Sequence, residues 1–269
     1  MIMKKGIGII LIGSLSMLLL SGCNINFGVG ERNSSRTSGS ATSIDQSYDI
    51  TNVKSIVINT DISNCSIDTY DGDKIKITGT IGADSKGIDY SLDGDKATVK
   101  EEYYKNIVGI NVNNNDDISE YKILIPNNYN GDVSVEYGAG SMDIQGIKVD
   151  EFNVKGGAGE LIVNNVVFNN LNLSSGVGSV NFSLEKKCGD MNIEGGIGET
   201  VVKMKEVGGK LKVNGGMGSI DVQVPENAPI YFETSSGIGL NDISDVKTSG
   251  DKTYIFDLSV GVGEIKVHN

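Results

Sequence analysis

The chain has no tryptophan, one histidine, three prolines and three cysteines among its 269 residues. Each scarcity excludes something. With His268 as the lone imidazole, a Ser-His-Asp or Cys-His nucleophile has too little to work with. A structural zinc site takes four ligands, which Cys65 and Cys188 cannot supply alone. Both are expected as buried free thiols. The lack of indole removes the commonest platform for stacking a sugar. Few prolines suit a backbone whose N–H groups nearly all pair. Basic residues are also in deficit: 23 Lys and Arg against 35 Asp and Glu leave a net charge of −12. Such a balance argues against nucleic acid and against an electrostatic grip on anionic lipid.

Phosphate-loop signatures are absent too. No Gly-x-x-x-x-Gly-Lys-Ser/Thr occurs, and the many Gly-x-Gly units lack the third glycine of a dinucleotide fingerprint. Calcium-binding nonapeptides read Gly-Gly-x-Gly-x-Asp. Here Gly215-Gly216-Met217-Gly218-Ser219 is followed by Ile220, with Asp221 one place late. No cofactor or metal is expected.

Long apolar runs are confined to residues 7–20, too short for the roughly 20 residues of a spanning helix. Lys4 and Lys5 precede that run and Leu20-Ser21-Gly22-Cys23 follows it, so residues 1–22 read as a leader. The tetrapeptide resembles the lipobox of bacterial lipoproteins. That resemblance implies a diacylglyceryl group on Cys23, which would hold the chain on the outer face of the cell membrane. Two acyl chains suffice for stable anchoring. Residues 23–47, rich in Ser, Thr, Gly and Asn, read as a flexible tether.

What the sequence has in plenty is glycine, 36 residues of it, and much of it is periodic. Seven pairs recur: Gly138 and Gly140, Gly157 and Gly159, Gly176 and Gly178, Gly196 and Gly198, Gly216 and Gly218, Gly237 and Gly239, Gly261 and Gly263. Their first members stand 19, 19, 20, 20, 21 and 24 residues apart, a spacing that marks a repeat architecture. Apolar residues alternate on both sides of each pair, as in Val133 and Val135 before and Met142 and Ile144 after. Alternation of period two means strands with one buried face. Helical spacing is sustained nowhere after the leader. The prediction is an all-β fold, a single-stranded parallel β-solenoid (β-helix) of about 20-residue coils over residues 131–269. The paired glycines are expected at corners where stacked backbones exclude a Cβ, aligned in columns from coil to coil. The residue between them is always apolar (Ala139, Ala158, Val177, Ile197, Met217, Ile238, Val262) and is expected to point inward.

Residues 48–130 are β-rich but irregular, and read as degenerate first coils plus a cap, with a separate small β-domain as the alternative. Asp71-Gly72 and Asp93-Gly94 are hairpin signals, and Lys122-Ile123-Leu124-Ile125-Pro126 a strand stopped by proline. Thr234 and Asn241 occupy inward sites of the Gly237 coil, which is therefore expected to be loosened.

The run Val57-Ile58-Asn59-Thr60-Asp61-Ile62-Ser63-Asn64, the Leu124-Ile125-Pro126 strand and the serial Gly-x-Gly coils resemble the bacterial β-strand-repeat family of envelope proteins called putative adhesins. The resemblance covers roughly residues 48–268. It implies a parallel β-solenoid at the cell surface and carries over no catalytic residue.

The expected function is therefore a lipid-anchored, extracytoplasmic, non-enzymatic solenoid acting in adhesion, envelope organisation or envelope-stress sensing. Its partners would be the membrane, through the anchor, and an envelope protein or glycan. Two alternatives remain. Asp221 and Asp242 occupy matching positions on successive repeats, expected about 5 Å apart, the spacing of a retaining glycosidase pair. That would suit a polysaccharide-active enzyme. Alternatively, an open edge on the last coil would suit self-association into a surface scaffold.

Overall fold

Alternating apolar residues over 13 to 15 positions, interrupted by two glycines, produce long strands that bend in the middle. The computed structural model describes residues 40–104 and 118–269, all within one unit, Thr37–Asn269. They form thirteen strands of one sheet, with no helix among the described residues.

Seven strands carry the Gly-x-Gly units: β7 (Asp132–Gln145), β8 (Glu151–Asn164), β9 (Asn170–Leu184), β10 (Asp190–Met204), β11 (Leu211–Gln223), β12 (Ile230–Asp242) and β13 (Tyr254–His268). The expected strand–bend–strand is one bent strand in each case. Neighbours pair in parallel, apolar residue over apolar residue: Val133 on Phe152, Phe152 on Leu171, Met191 on Leu171 and Leu211. At each corner the first glycine drops out of the register, while the residue after it stays in, as with Ala139 on Ala158. Its counterpart on the neighbouring coil drops out with it, so the register is kept and both strands turn at the same place.

Inward side chains stack in columns. Val135, Val154, Leu173, Ile193, Val213 and Leu258 are all buried, as are Ile144, Val163, Phe182, Val202, Val222 and Val267. Ile147, Val149, Val166, Phe168, Cys188 and Val207, from the connecting segments, close the core on a third side. Each fully buried side chain contributes roughly 1.5–3 kcal/mol, but only once a neighbouring coil covers it.

The order of the coils departs from the order of the sequence. After β11 the chain lays down β12 one place beyond the adjacent position, and β13 then fills the gap. Leu211 of β11 pairs with Phe256 of β13, and Phe232 of β12 pairs with the other side of Phe256. Among the described residues the open end is therefore β12, not the last coil of the sequence. This accounts for Thr234 and Asn241: the coil that bears them is covered on one side alone. It also overturns the expected carboxylate pair. Asp221 lies opposite Lys266, and Lys266 opposite Asp242, so a lysine stands between them.

At the other end, β2 (Ser55–Tyr70) is a full coil with Asp61-Ile62-Ser63 at its corner, and it pairs along β7 from Ser55 on Asp132 to Ile67 on Ile144. Its outer edge is shared by β5 (Lys96–Tyr103) on the first limb and β6 (Ser119–Pro126) on the second. Around these lie β1 (Thr42–Asp49), β3 (Lys74–Ile81) and β4 (Ser85–Asp93), in antiparallel pairs β1–β3, β3–β6 and β4–β5. The sheet is thus parallel in the stack and mixed in the cap. Asp93-Gly94 does make a hairpin, with Asp93 opposite Lys96. Asp71-Gly72 does not: β6 separates β2 from β3.

Candidate functional site

The unpaired first glycine shifts the side-chain parity at every corner. The residue between the glycines accordingly faces solvent, contrary to the inward placement expected from its apolar character. Val177 and Ile197 are 54% exposed, Met217 52%, Val262 41% and Ile238 72%. Register links them in one row: Ala139, Ala158, Val177, Ile197, Met217, Val262 and Ile238, in spatial order. Strand spacing sets neighbours about 4.8 Å apart, so the row is a continuous ridge. It widens from alanine near the cap to larger aliphatics at the open end, where Leu240, 72% exposed, broadens it.

Beside the ridge runs a polar column: Ser141, Glu160, Ser179, Glu199, Ser219 and Glu264, ending at Leu240. In sequence order the alternation of Ser and Glu breaks at Leu240. In space the inserted β13 restores it, and no two glutamates lie directly opposite, where like charges would repel. On the other flank stand Glu136, Lys155, Ser174 and Glu194, all exposed.

The glycines form two columns beneath the ridge. The second of each pair (Gly140, Gly159, Gly178, Gly198, Gly218, Gly239 and Gly263) has φ between +113° and +153°. A Cβ on Gly178 would enter the carbonyl oxygen of Gly159, one on Gly198 that of Gly178, one on Gly263 that of Gly218, and one on Gly239 that of Gly263. In the first column, Gly157 meets the carbonyl of Gly138, Gly176 that of Gly157, Gly196 that of Gly176 and Gly216 that of Gly196. Gly261 and Gly237 follow the inverted coil order, on Gly216 and Gly261. The expected columns of glycine on glycine run through all seven pairs and end at the cap on a corner without glycine. Gly140 rests on no glycine: a Cβ there would enter the carbonyl oxygen of Ser63 at 2.2 Å, and Gly138 stands in the same way over Asp61. The coil beneath both is β2, whose corner carries side chains. Gly140 also has the smallest φ of its column, +113°. What excludes a side chain from Gly140 is therefore the neighbour's backbone carbonyl, whatever residue bears it. Cys23, the expected lipidation residue, lies outside the described residues.

A buried carboxyl sits in the cap. Glu101 is 4% exposed. Ser119 Oγ donates to its Oε1 at 2.5 Å and Tyr121 OH to its Oε2 at 3.2 Å. Burial raises its pKa above the usual carboxylate value, and the hydrogen bonds it accepts from Ser119 and Tyr121 oppose that rise. Ser119 Oγ in turn accepts from the Gly82 N–H at 2.9 Å, and Tyr103 OH donates to the Ile62 carbonyl at 2.6 Å. These contacts lock β5 and β6 onto the corner of the first coil. Cys65 is buried close by and Cys188 is buried in the stack, both unbridged, with burial pushing both thiols up. His268 Nε2 lies 3.0 Å from Asp221 Oδ1, tying that carboxylate to β13. Among the described residues no group of three His, Cys, Asp or Glu is placed to hold a metal ion.

Sequence periodicity counted forward from Val133 and Val135 misses the ridge. Counted backward from Met142 and Ile144 it finds it, since the intervening residue falls on the outward parity of the second limb.

Solved structures similar to this chain include a putative cell adhesion protein from Clostridium sporogenes, at 15% identity and a TM-score of 0.40 over 84% of this chain and 99% of that one. A putative adhesin from Bacteroides fragilis aligns at 18% identity and 0.47 over 84% and 97%. A putative lipid binding protein from Parabacteroides distasonis aligns at 15% and 0.39 over 86% and 98%. No curated protein matches the chain in sequence. The family model described as Toastrack DUF4097 matches residues 53–186 and 140–254, which together take in the first coil, the cap apart from β1, and the stack from β7 to β12. The chain belongs to the Toastrack DUF4097 family.

Proposed function

We propose that this protein is a lipid-anchored, non-enzymatic binding protein of the adhesin type on the extracytoplasmic face of the cell membrane. It presents the corner ridge to an envelope or surface partner. The observation that carries this reading is the ridge. Contiguous exposed apolar surface is unfavourable on a soluble protein unless something covers it, and a polar rim is the usual border of an interaction site. Val177, Ile197, Met217, Val262 and Ile238 form such a surface, with Ser and Glu along one side. The anchor rests on Cys23 and its lipobox-like context.

Two experiments test the reading. Globomycin treatment of cells making the chain should accumulate the unprocessed form, and Cys23→Ala should release the protein from the membrane fraction. A soluble, globomycin-insensitive product would remove the anchored part. Pull-down from intact envelopes should lose its specific partner on Ile197→Ser with Met217→Ser. Retention of the same partner by that variant would remove the ridge.

A further inference from the structure

We propose that two copies of the chain join edge to edge through β12, the same strand in both, about a two-fold axis. The strand inversion puts β12 at the end of the stack, and no described residue pairs with its outer edge. Natural edges are usually blunted by lysine, proline, a bulge or brevity. β12 runs 13 residues, Ile-Tyr-Phe-Glu-Thr-Ser-Ser-Gly-Ile-Gly-Leu-Asn-Asp, without a lysine or proline. Its ladder to β13 is interrupted only at the corner, as in the other coils. Ile238 and Leu240, the two most exposed large aliphatics among the described residues, sit on this edge at 72% each.

The corner selects the occupant. β12 bends at Gly237-Ile238-Gly239, so a straight peptide strand can follow one limb and must then leave. A strand laid on both limbs of β12 must turn at the same place, so it must itself be a bent coil. At the other end of the stack, β2 is bent too, but β5 and β6 cover its edge. Among the described residues, the bent strand with an open edge is β12 itself. Two such strands fit antiparallel, the first limb of one copy along the second limb of the other. The pairing closes the edge on both copies and stops at two, because a two-fold contact consumes the surface that forms it.

Sedimentation velocity of the full-length chain in detergent, over a concentration series, tests this. The expected result is a monomer–dimer equilibrium with nothing larger. Ile238→Lys with Leu240→Lys should weaken the dimer by about ten-fold or more, since like charges would then face one another across the joint. Val177→Lys, on the same ridge but well removed from the edge, should change it less than about two-fold. Unchanged circular dichroism and melting temperature in both variants would exclude unfolding as the cause. A strict monomer at hundreds of micromolar would overturn the proposal. So would open-ended polymers, which need a head-to-tail contact, or equal dissociation by Val177→Lys, which would move the joint onto the ridge.

Discussion

Gly178 shows what one position in this architecture demands. Its φ of +139° is a region side chains avoid, and a Cβ there would collide with the backbone of Gly159. Backbone cannot swing aside as a flexible side chain can. Gly178→Ala should therefore destabilise by about 3 kcal/mol or more, read as a shift in the urea midpoint. Gly94 gives the contrast: its φ is +61° and open space surrounds it. Gly94→Asn should cost less than about 1 kcal/mol. Glu101 makes a second residue-scale prediction. Burial raises its folded pKa above the ordinary glutamate value. The folded state thus binds its proton more tightly than the unfolded chain does. The stability this group contributes is fully present below the unfolded pKa and is lost as pH rises through the folded one. Glu101→Gln should remove that component, so the difference in melting temperature between variant and wild type should shift in favour of the variant as pH climbs from about 4 to about 7. A pH-independent difference would contradict the assignment.

At the scale of the element, β13 decides the fate of two coils. It lies between β11 and β12 and pairs with both along nearly its whole length. A chain ending at Asp242 should therefore lose β12 as well as β13. Hydrogen exchange should find the amides of Ile230–Asp242 unprotected while those of Asp190–Met204 stay slow. In a stack ordered as in the sequence, the same truncation would leave β12 protected on β11. Leu258, fully buried in β13, should cost about 2–5 kcal/mol as Leu258→Ala, and Thr234→Ala in β12 well under about 1 kcal/mol. Much of this architecture is legible in the residues. The period, the strand alternation, the inward columns and the glycine corners follow from spacing and from the geometry of stacked backbone. The footing of Gly140 on Ser63 is less so, because the first coil turns without glycine and breaks the pattern that marks the others. The inversion of β12 and β13 leaves fainter traces: Thr234 and Asn241 at inward sites, the widened spacing before Gly261, and Leu240 where Glu was due. The outward turn of Val177 or Ile197 was hidden because apolar character suggests burial, whereas an unpaired corner residue resets parity whatever the side chain. Cap pairing depends on contacts far apart in sequence, such as Cys65 with Tyr121. No local pattern encodes those.

For the molecule as a whole, charge opposes the proposed pairing of copies. Each chain carries −12, so two copies repel through water. Sodium chloride screens that repulsion, with a Debye length of about 8 Å at roughly 0.15 M. The dimer should therefore tighten several-fold between about 20 and about 200 mM salt, as read by sedimentation. A contact built on ion pairs would loosen instead. Surface ion pairs within the chain, such as Lys247 with Glu226 at 2.7 Å, are largely solvated and should matter little to stability in the same range.

The placement of β13 also bears on how the protein is made. Synthesis delivers the chain from its N-terminus, so the cap and the coils through β11 can zip together as they emerge. β12 then arrives with no berth, because its seat is a strand still inside the ribosome. Completion waits for residues 254–268, which act as a keystone set after the stone beyond it. A nascent chain interrupted before them leaves a long unpaired segment that proteases can recognise, so the fold discriminates finished molecules from unfinished ones.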